Sequence, residues 1–349
     1  MTRPRLIVAP YFRRMAEIFS GADLARLHEL GDVVWGGDEP MPPEEFAAAV
    51  PDAAAIVFGS WTFGPEALDH AGSRLRAILE VAGSHHHPDL DYTWCFENNV
   101  AIGSCAPAFG PVVAEMALAL TLAATRDIAG GDRAFRAGRE RYLHEGCQDA
   151  TLLFGKTAGF VGCGALARSL QPLLDPFGVS VLGYDPWLND EELTDRGIEP
   201  VGLEHLVAQS DVIYVLAAPN PTNRKLIDRA LMERIRPGSV LVVISRAHLV
   251  DFDALTDLVL QGRFRAAIDV FPEEPVPLEH PIRTAENAVL SAHRAGAVPE
   301  ALHEIGRFVV DDLAAILNGR TPLAMQYATP KLITRFRHPD APPPSQCAR

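Results

Sequence analysis

The sequence predicts a two-domain α/β protein in which one domain is a doubly wound parallel sheet. Three observations carry this. The chain has 349 residues, more than one ordinary core serves. Short apolar runs alternate with helix-like segments along most of its length. Residues 157–186, TAGFVGCGALARSLQPLLDPFGVSVLGYDP, run in the order strand, glycine turn, helix, strand, acid.

That last stretch organises the rest. Gly162-Cys163-Gly164-Ala165-Leu166-Ala167 is a G-x-G-x-x-A turn. Gly162 permits the tight turn, Gly164 lets the backbone approach a pyrophosphate, and Ala167 keeps the helix close to the sheet. The helix starting at Ala165 and Leu166 offers free N–H groups and a positive dipole end to phosphates. Leu166, Leu170, Leu173 and Leu174 share its apolar face. The next apolar run ends on Asp185, roughly 20 residues after Gly164, where a carboxylate accepts from both ribose hydroxyls. A bare G-x-G-x-x-A also occurs in structural turns; the whole unit specifies a dinucleotide and a Rossmann domain. A carboxylate at 185 repels a 2′-phosphate, and Pro186-Trp187 brings no arginine to bind one. The cofactor expected is therefore NAD(H) rather than NADP(H).

Composition narrows the partners. Hydrophobic residues at 48% and charged residues at 22% are those of a soluble globular chain. A net charge of −14 opposes nucleic acid and anionic membrane, so neither is expected. The start, MTRPRLIVAP, lacks the apolar core of a signal peptide. The most apolar segment, 112–124, contains Glu115 and is read as too short to span a bilayer. Cys95, Cys105, Cys147, Cys163 and Cys347 form no C-x-x-C pair, which points to free thiols in the cytoplasm. Cys163, inside the glycine turn, reads as packing.

In chain order, strands are expected at 5–9, 33–35, 54–58 and 75–81. Helices are expected at 22–30, from Pro42-Pro43-Glu44-Glu45 onward, and at 65–71. Gly83-Ser84-His85-His86-His87-Pro88 then forms a loop at a strand end. It lines a ligand cleft or is a solvated polar loop. Its histidines lack a third ligand at metal-binding spacing, so no metal is expected. Residues 112–125, apolar nearly all round, read as a connector helix buried on all sides. Residues 126–146 are polar and arginine-rich. Six further strands are expected at 157–161, 179–184, 212–216, 240–244, 266–270 and 288–290, with helices at 227–235 and 252–260. Residues 299–317 carry the stripe Leu302, Ile305, Phe308, Val309, Leu313 and Ile316, with Gly319 just past the end. A proline-rich tail follows.

Ligands of open α/β sheets bind beyond the carboxyl ends of the strands. Those ends carry Ser245-Arg246, then Asp269 with Phe271-Pro272-Glu273-Glu274-Pro275, then Ser291-Ala292-His293. Singly, Arg246 reads as a surface ion pair, Glu274 as a turn cap and His293 as a core histidine. Together, beside a dinucleotide turn, they suit hydride transfer. An imidazole moves protons near neutral pH, a carboxylate orients it, and a guanidinium grips a carboxylate with two parallel bonds.

The segments VAEMALALTLAATRD, GFVGCGALA with GYDP, VVISRAHLVD, AAIDVFPEEP and LSAHRAGA span about residues 75–317. In them the chain resembles the D-isomer-specific 2-hydroxyacid dehydrogenase family. The resemblance implies a Rossmann coenzyme domain, 104–296, inserted in a smaller flavodoxin-like substrate domain, 1–103 plus 297–349. It implies a homodimer joined through the coenzyme domains and a 2-keto or 2-hydroxy acid as substrate. It makes His293 the acid/base, Glu274 its carboxylate and Arg246 the substrate-carboxylate residue. Asp269 is implied to hold the nicotinamide carboxamide. Gly162, Gly164, Ala165, Leu166, Asp185, Pro219 and Ser245 are implied to bind the cofactor. Gly83, Ser84, His85 and Trp61, with Arg246, are implied to meet the substrate, and Phe109 to line the cleft. The chain departs from the family in Ala247-His248, where glycine commonly follows the arginine, in Ser291-Ala292 before His293, and in Arg294 after it. The histidine loop replaces a glycine-rich segment whose N–H groups cradle the substrate carboxylate. Glu274 argues against a formate-type enzyme. A phosphite-type dehydrogenase and a non-catalytic NAD(H)-sensing corepressor are the alternatives on the same fold.

Overall fold

The structure, a computed structural model, describes residues 3–83, 87 and 89–336. The strands are β1 (Arg5–Ala9), β2 (Asp32–Trp35), β3 (Ala53–Phe58), β4 (Ala77–Glu80), β5 (Ala101–Ser104), β6 (Thr157–Val161), β7 (Ser180–Tyr184), β8 (Ile198–Pro200), β9 (Val212–Val215), β10 (Val240–Val243), β11 (Arg265–Ile268), β12 (Ala288–Leu290) and β13 (Gln326–Tyr327). The chain divides into two units. One takes the chain up to Phe109 and again from Ala297; the other is Gly110–Gly296.

The first unit holds a sheet in the order β13-β5-β4-β3-β1-β2. β1 to β5 pair in parallel, and β13 adds to the β5 edge antiparallel. Strand direction of travel reverses between β1 and β3, which makes their carboxyl ends the switch point of this sheet. Alternate residues feed two cores. Leu6, Val8, Val57 and Leu79 pack with Ile305, Val309 and Leu313 of helix Pro299–Leu317. Ile7, Ile56, Phe58 and Ile78 pack with Phe46, Trp61 and Ile102. Each buried aliphatic side chain of that helix contributes roughly 1.5–3 kcal/mol.

The second unit holds seven strands, all parallel, in the order β12-β11-β10-β9-β6-β7-β8. The register aligns Val161, Tyr184, Val215, Val243, Ile268 and Leu290, so these strands finish along one edge. Everything that follows them lies along that edge.

Several expectations change. The sequence reading gave six strands here; the seventh, β8, is an edge strand of three residues that ends on proline. Residues 65–71 form turns instead of a helix, and the helix expected at 227–235 is only Arg229–Met232. β11 stops at Ile268, which puts Asp269 just beyond it. β5, β13 and helix Tyr92–Glu97 were not foreseen.

Helix Ala106–Thr125 carries the chain from one unit into the other. At 20 residues with a mean hydropathy of 1.6 in its most apolar window, it is long and apolar enough to cross a membrane, against the shorter segment expected. Nor is it buried all round. Ala114, Ala117, Thr121 and Ala124 are buried, but Pro111, Glu115 and Ala119, four apart, form an exposed stripe.

Candidate active site

The glycine turn follows β6. Gly162 has φ +94°, and a Cβ there would sit 2.5 Å from the backbone N and Cα of Ala217. Only glycine fits both demands. Gly164 caps helix Ala165–Leu174, and no side chain satisfies the first N–H groups of that helix. A Cβ on Gly164 would meet nothing within 4 Å. The turn thus presents open backbone and a positive helix end at Ala165 and Leu166, as a pyrophosphate requires.

Asp185 finishes the β7 edge. Its Oδ2 accepts from Cys163 N at 2.9 Å and its Oδ1 from Trp187 N at 2.9 Å. The carboxylate is fixed over the turn and keeps lone pairs for ribose hydroxyls. Cys163 is buried, and burial, with Asp185 next, pushes its thiol up to about 12. Its sulfur fills the notch at Gly183, whose Cβ would lie 2.9 Å away. Ser245, after β10, and Ser291, after β12, each have a buried hydroxyl without a hydrogen-bond partner among the described residues. Pro219 is exposed in the loop after β9. Open turn, fixed acid and unsatisfied hydroxyls on one edge fit a dinucleotide.

The adjacent strands β10, β11 and β12 carry the charged groups. His293 Nδ1 lies 2.6 Å from Glu274 Oε2, and Glu274 Oε1 accepts from Phe271 N at 2.8 Å. The carboxylate is therefore held by its own loop while it holds the imidazole. With Nδ1 committed to a carboxylate, Nε2 is the nitrogen left to exchange a proton. His293 has φ +53°, uncommon for a non-glycine residue. Asp269 accounts for this conformation. Its carbonyl accepts from His293 N at 2.7 Å, and its buried carboxylate accepts from Arg294 N at 2.9 Å and Ala295 N at 3.1 Å. Arg246 is exposed after β10, with Nη1 donating to Ser245 O at 2.7 Å. The structure thus joins His293 to Glu274 directly and sets Arg246 at the end of a neighbouring strand.

In the first unit, Gly83 has φ +88° and lies against the Phe109 ring, which a Cβ would approach to 2.9 Å. Its N–H donates to Glu80 Oε2 at 2.9 Å, and Ala82 N donates to Glu80 Oε1. Ser104 Oγ adds a third bond, at 2.8 Å. These N–H groups are therefore spent on Glu80. Trp61 is buried in an aromatic cluster with Phe46, Phe58 and Phe63, and its Nε1 donates to Gly64 O at 3.2 Å. That is a core position. Ser84 and His85 lie outside the described residues. His87 packs edge-on against Phe58, with ring centroids 4.9 Å apart. Among the described residues no three His, Cys, Asp or Glu side chains gather as a metal set. Sequence reasoning missed Glu80; a lone acid ending a buried apolar strand, AILE, was the available signal.

Comparison with known proteins gives a consistent result. The model of the D-isomer specific 2-hydroxyacid dehydrogenase NAD-binding domain matches residues 118–295, about half of the chain. D-3-phosphoglycerate dehydrogenase of Mycobacterium leprae (strain TN) is 30% identical over 308 residues, covering 87% of this chain and 56% of that protein. The chain thus spans little more than half the length of such relatives. Glyoxylate reductase of Thermofilum pendens is 28% identical over 337 residues, covering 93% and 95%. A solved phosphoglycerate oxidoreductase from Rhizobium etli superposes with a TM-score of 0.82 at 33% identity, covering 94% of this chain and 99% of that one. With the glycine turn, fixed Asp185 and matched domain, residues 118–295 are an NAD-binding domain, and the chain belongs to the D-isomer specific 2-hydroxyacid dehydrogenase family.

Proposed function

We propose that the protein is an NAD-dependent oxidoreductase that transfers hydride between nicotinamide and C2 of a D-2-hydroxy acid or its 2-keto acid. The observation that carries this is the 2.6 Å His293–Glu274 pair on the same sheet edge as the glycine turn. Bound NAD(H) supplies or takes the hydride. His293 Nε2 takes the proton of the substrate hydroxyl in oxidation and returns it in reduction, worth typically ~10²–10⁴ in rate. Glu274 fixes the tautomer and stabilises the cation. Arg246 grips the substrate carboxylate and polarises the keto oxygen. Asp269 seats the loop bearing His293. Its oxygens retain lone pairs for a carboxamide. Gly162, Gly164, Ala165, Leu166, Asp185, Pro219 and Ser245 receive the dinucleotide. The Gly83 loop, with Ser84 and His85, contributes to substrate recognition.

Relatives named for phosphoglycerate and for glyoxylate support the acid class without choosing a member. The test is absorbance at 340 nm with NADH and, separately, NADPH against a panel of 2-keto acids. Turnover with NADH preferred supports the reading. NADH binding without turnover of any acid favours an NAD(H)-sensing role. The proposal includes a homodimer through the coenzyme unit. Helix Ile128–Arg136 has no buried residue, and Ile128, Phe135, Tyr142 and Leu143 around it are exposed. Sedimentation of Phe135→Asp as a monomer, against a dimeric parent, is the expected result. The free cysteines fit the cytoplasm as the compartment.

A further inference from the structure

The segment after β9 and the segment after β10 are joined through one histidine. Both lie inside the unit Gly110–Gly296. Residues 218–223 fold into a knuckle held by its own bonds. Asn220 Oδ1 accepts from Thr222 N at 2.8 Å and from Thr222 Oγ1 at 2.7 Å. Asn223 Oδ1 accepts from Asn220 N at 2.8 Å, and Asn223 Nδ2 donates to Ala218 O at 2.8 Å. Such asparagine-to-backbone bonds stiffen turns. The knuckle is thus a small rigid body, and it carries Pro219.

Its attachment to the rest of the unit is sparser. Lys225 N donates to His248 O and Ile227 N to Leu249 O, each at 2.9 Å, and Asp251 N donates to Ile227 O at 3.0 Å. This is a short parallel pairing, with Ile227 bridged to Val250. It stops at Lys225. Beyond that point, among the described residues, one hydrogen bond reaches 218–224 from another segment: His248 Nε2 to Asn220 O at 3.0 Å. A carbonyl only accepts, so Nε2 carries the proton. Asn220 O already accepts from Asn223 N at 3.3 Å, so the carbonyl has a partner without His248. The second bond therefore adds orientation; it does not rescue a buried acceptor.

The other end of the tie is equally fixed. His248 is half-buried between buried Ala247 and Leu249. These three residues form one turn of 3-10 helix, and Arg246 is its cap. One turn thus places both Arg246 and the imidazole, and the imidazole places the knuckle.

We propose that His248 is a positioning residue for the reaction: it fixes the Pro219 knuckle relative to Arg246, so that dinucleotide and substrate carboxylate are received in one register. This rests on the dehydrogenase reading above, in which Pro219 meets the cofactor and Arg246 the reacting carboxylate. His248 acts through its hydrogen bond and exchanges no proton with the substrate. Misplacing such a partner by ~1 Å can cost ~10²-fold in rate.

The experiment uses the full chain, with His248→Leu and His248→Gln. Leucine keeps much of the bulk and loses the donor, whereas the glutamine Nε2 can donate from a similar place. His248→Met serves the same comparison if the leucine variant does not fold. Two readouts are taken: the NADH Kd by fluorescence titration, and kcat and KM for the preferred 2-keto acid at saturating NADH. His248→Leu is expected to weaken NADH binding by about 3- to 10-fold and to lower keto-acid kcat/KM by about 10- to 100-fold, mostly in kcat. His248→Gln is expected to recover most of both. A glutamine variant as impaired as the leucine variant, or a leucine variant that matches wild type in both readouts, overturns the assignment. Loss of NADH affinity with keto-acid kcat/KM unchanged overturns the link to Arg246. Weaker NADH binding in His248→Leu, restored in His248→Gln, while the wild type turns over no 2-keto acid leaves the tie to the knuckle standing and overturns the dehydrogenase reading instead.

Discussion

Glu274 is held at both ends: Oε1 accepts the N–H of Phe271 at 2.8 Å while Oε2 meets His293 Nδ1 at 2.6 Å. The carboxylate thereby transmits the rigidity of its own turn to the imidazole. Glutamine keeps the shape but loses the charge and one acceptor. Glu274→Gln is expected to lower kcat by roughly 10- to 100-fold with NADH affinity little changed, checked by steady-state kinetics beside a fluorescence titration.

Gly162 has φ +94° and no room for a Cβ beside Ala217. Gly162→Ala is expected to weaken NADH binding at least tenfold, because the turn must move its N–H groups to relieve the clash. Calorimetry with NADH checks this. Gly164→Ala, where a Cβ meets no protein atom within 4 Å, is expected to retain the fold and melt within a few degrees of the parent.

Asp312, in helix Pro299–Leu317, is buried and accepts four bonds. They come from the N–H groups of Leu323 (3.0 Å), Ala324 (3.0 Å) and Met325 (2.8 Å) and from the Tyr327 hydroxyl (2.9 Å). It turns the chain back into β13. Asp312→Asn puts an amide donor against those donors and is expected to cost about 2–4 kcal/mol. Urea unfolding measures it.

Burial raises the thiols of Cys95 and Cys163 to about 12, against an ordinary 9.0. The fold therefore favours the neutral thiols. Their stabilising contribution is full below about 9 and is lost as pH rises from 9 towards 12, since only the unfolded chain ionises there. Urea midpoints should fall between pH 8 and pH 10.5, and less in Cys163→Ala. At pH 7.5, iodoacetamide should modify exposed Cys147 well before Cys163, as peptide mass mapping would show.

What the sequence disclosed follows the range of the forces involved. The glycine turn, the strand runs and the helix stripe at Ile305, Val309 and Leu313 are local patterns, and the structure shows each of them. The pairing of His293 with Glu274 was legible because parallel topology brings successive strand ends to one edge. β8 and β13 were not legible, for they are two or three residues long and owe their existence to neighbours: Gly183 backbone pairing for one and Asp312 for the other. Helix Ala106–Thr125 reads as uniformly apolar, yet which face is buried depends on packing that hydropathy does not encode. Glu80 is missed for a related reason. A charged residue at a strand end reveals its use only when the groups around it are counted.

The most direct test of the account is single-turnover oxidation of bound NADH in His293→Ala against wild type, with the preferred 2-keto acid saturating. If His293 is the proton donor, NADH should bind with unchanged affinity while the rate falls by roughly 10²–10⁴. A rate within a few-fold of wild type, with NADH and the keto acid both bound, would contradict the assignment of His293 as the acid/base of this protein.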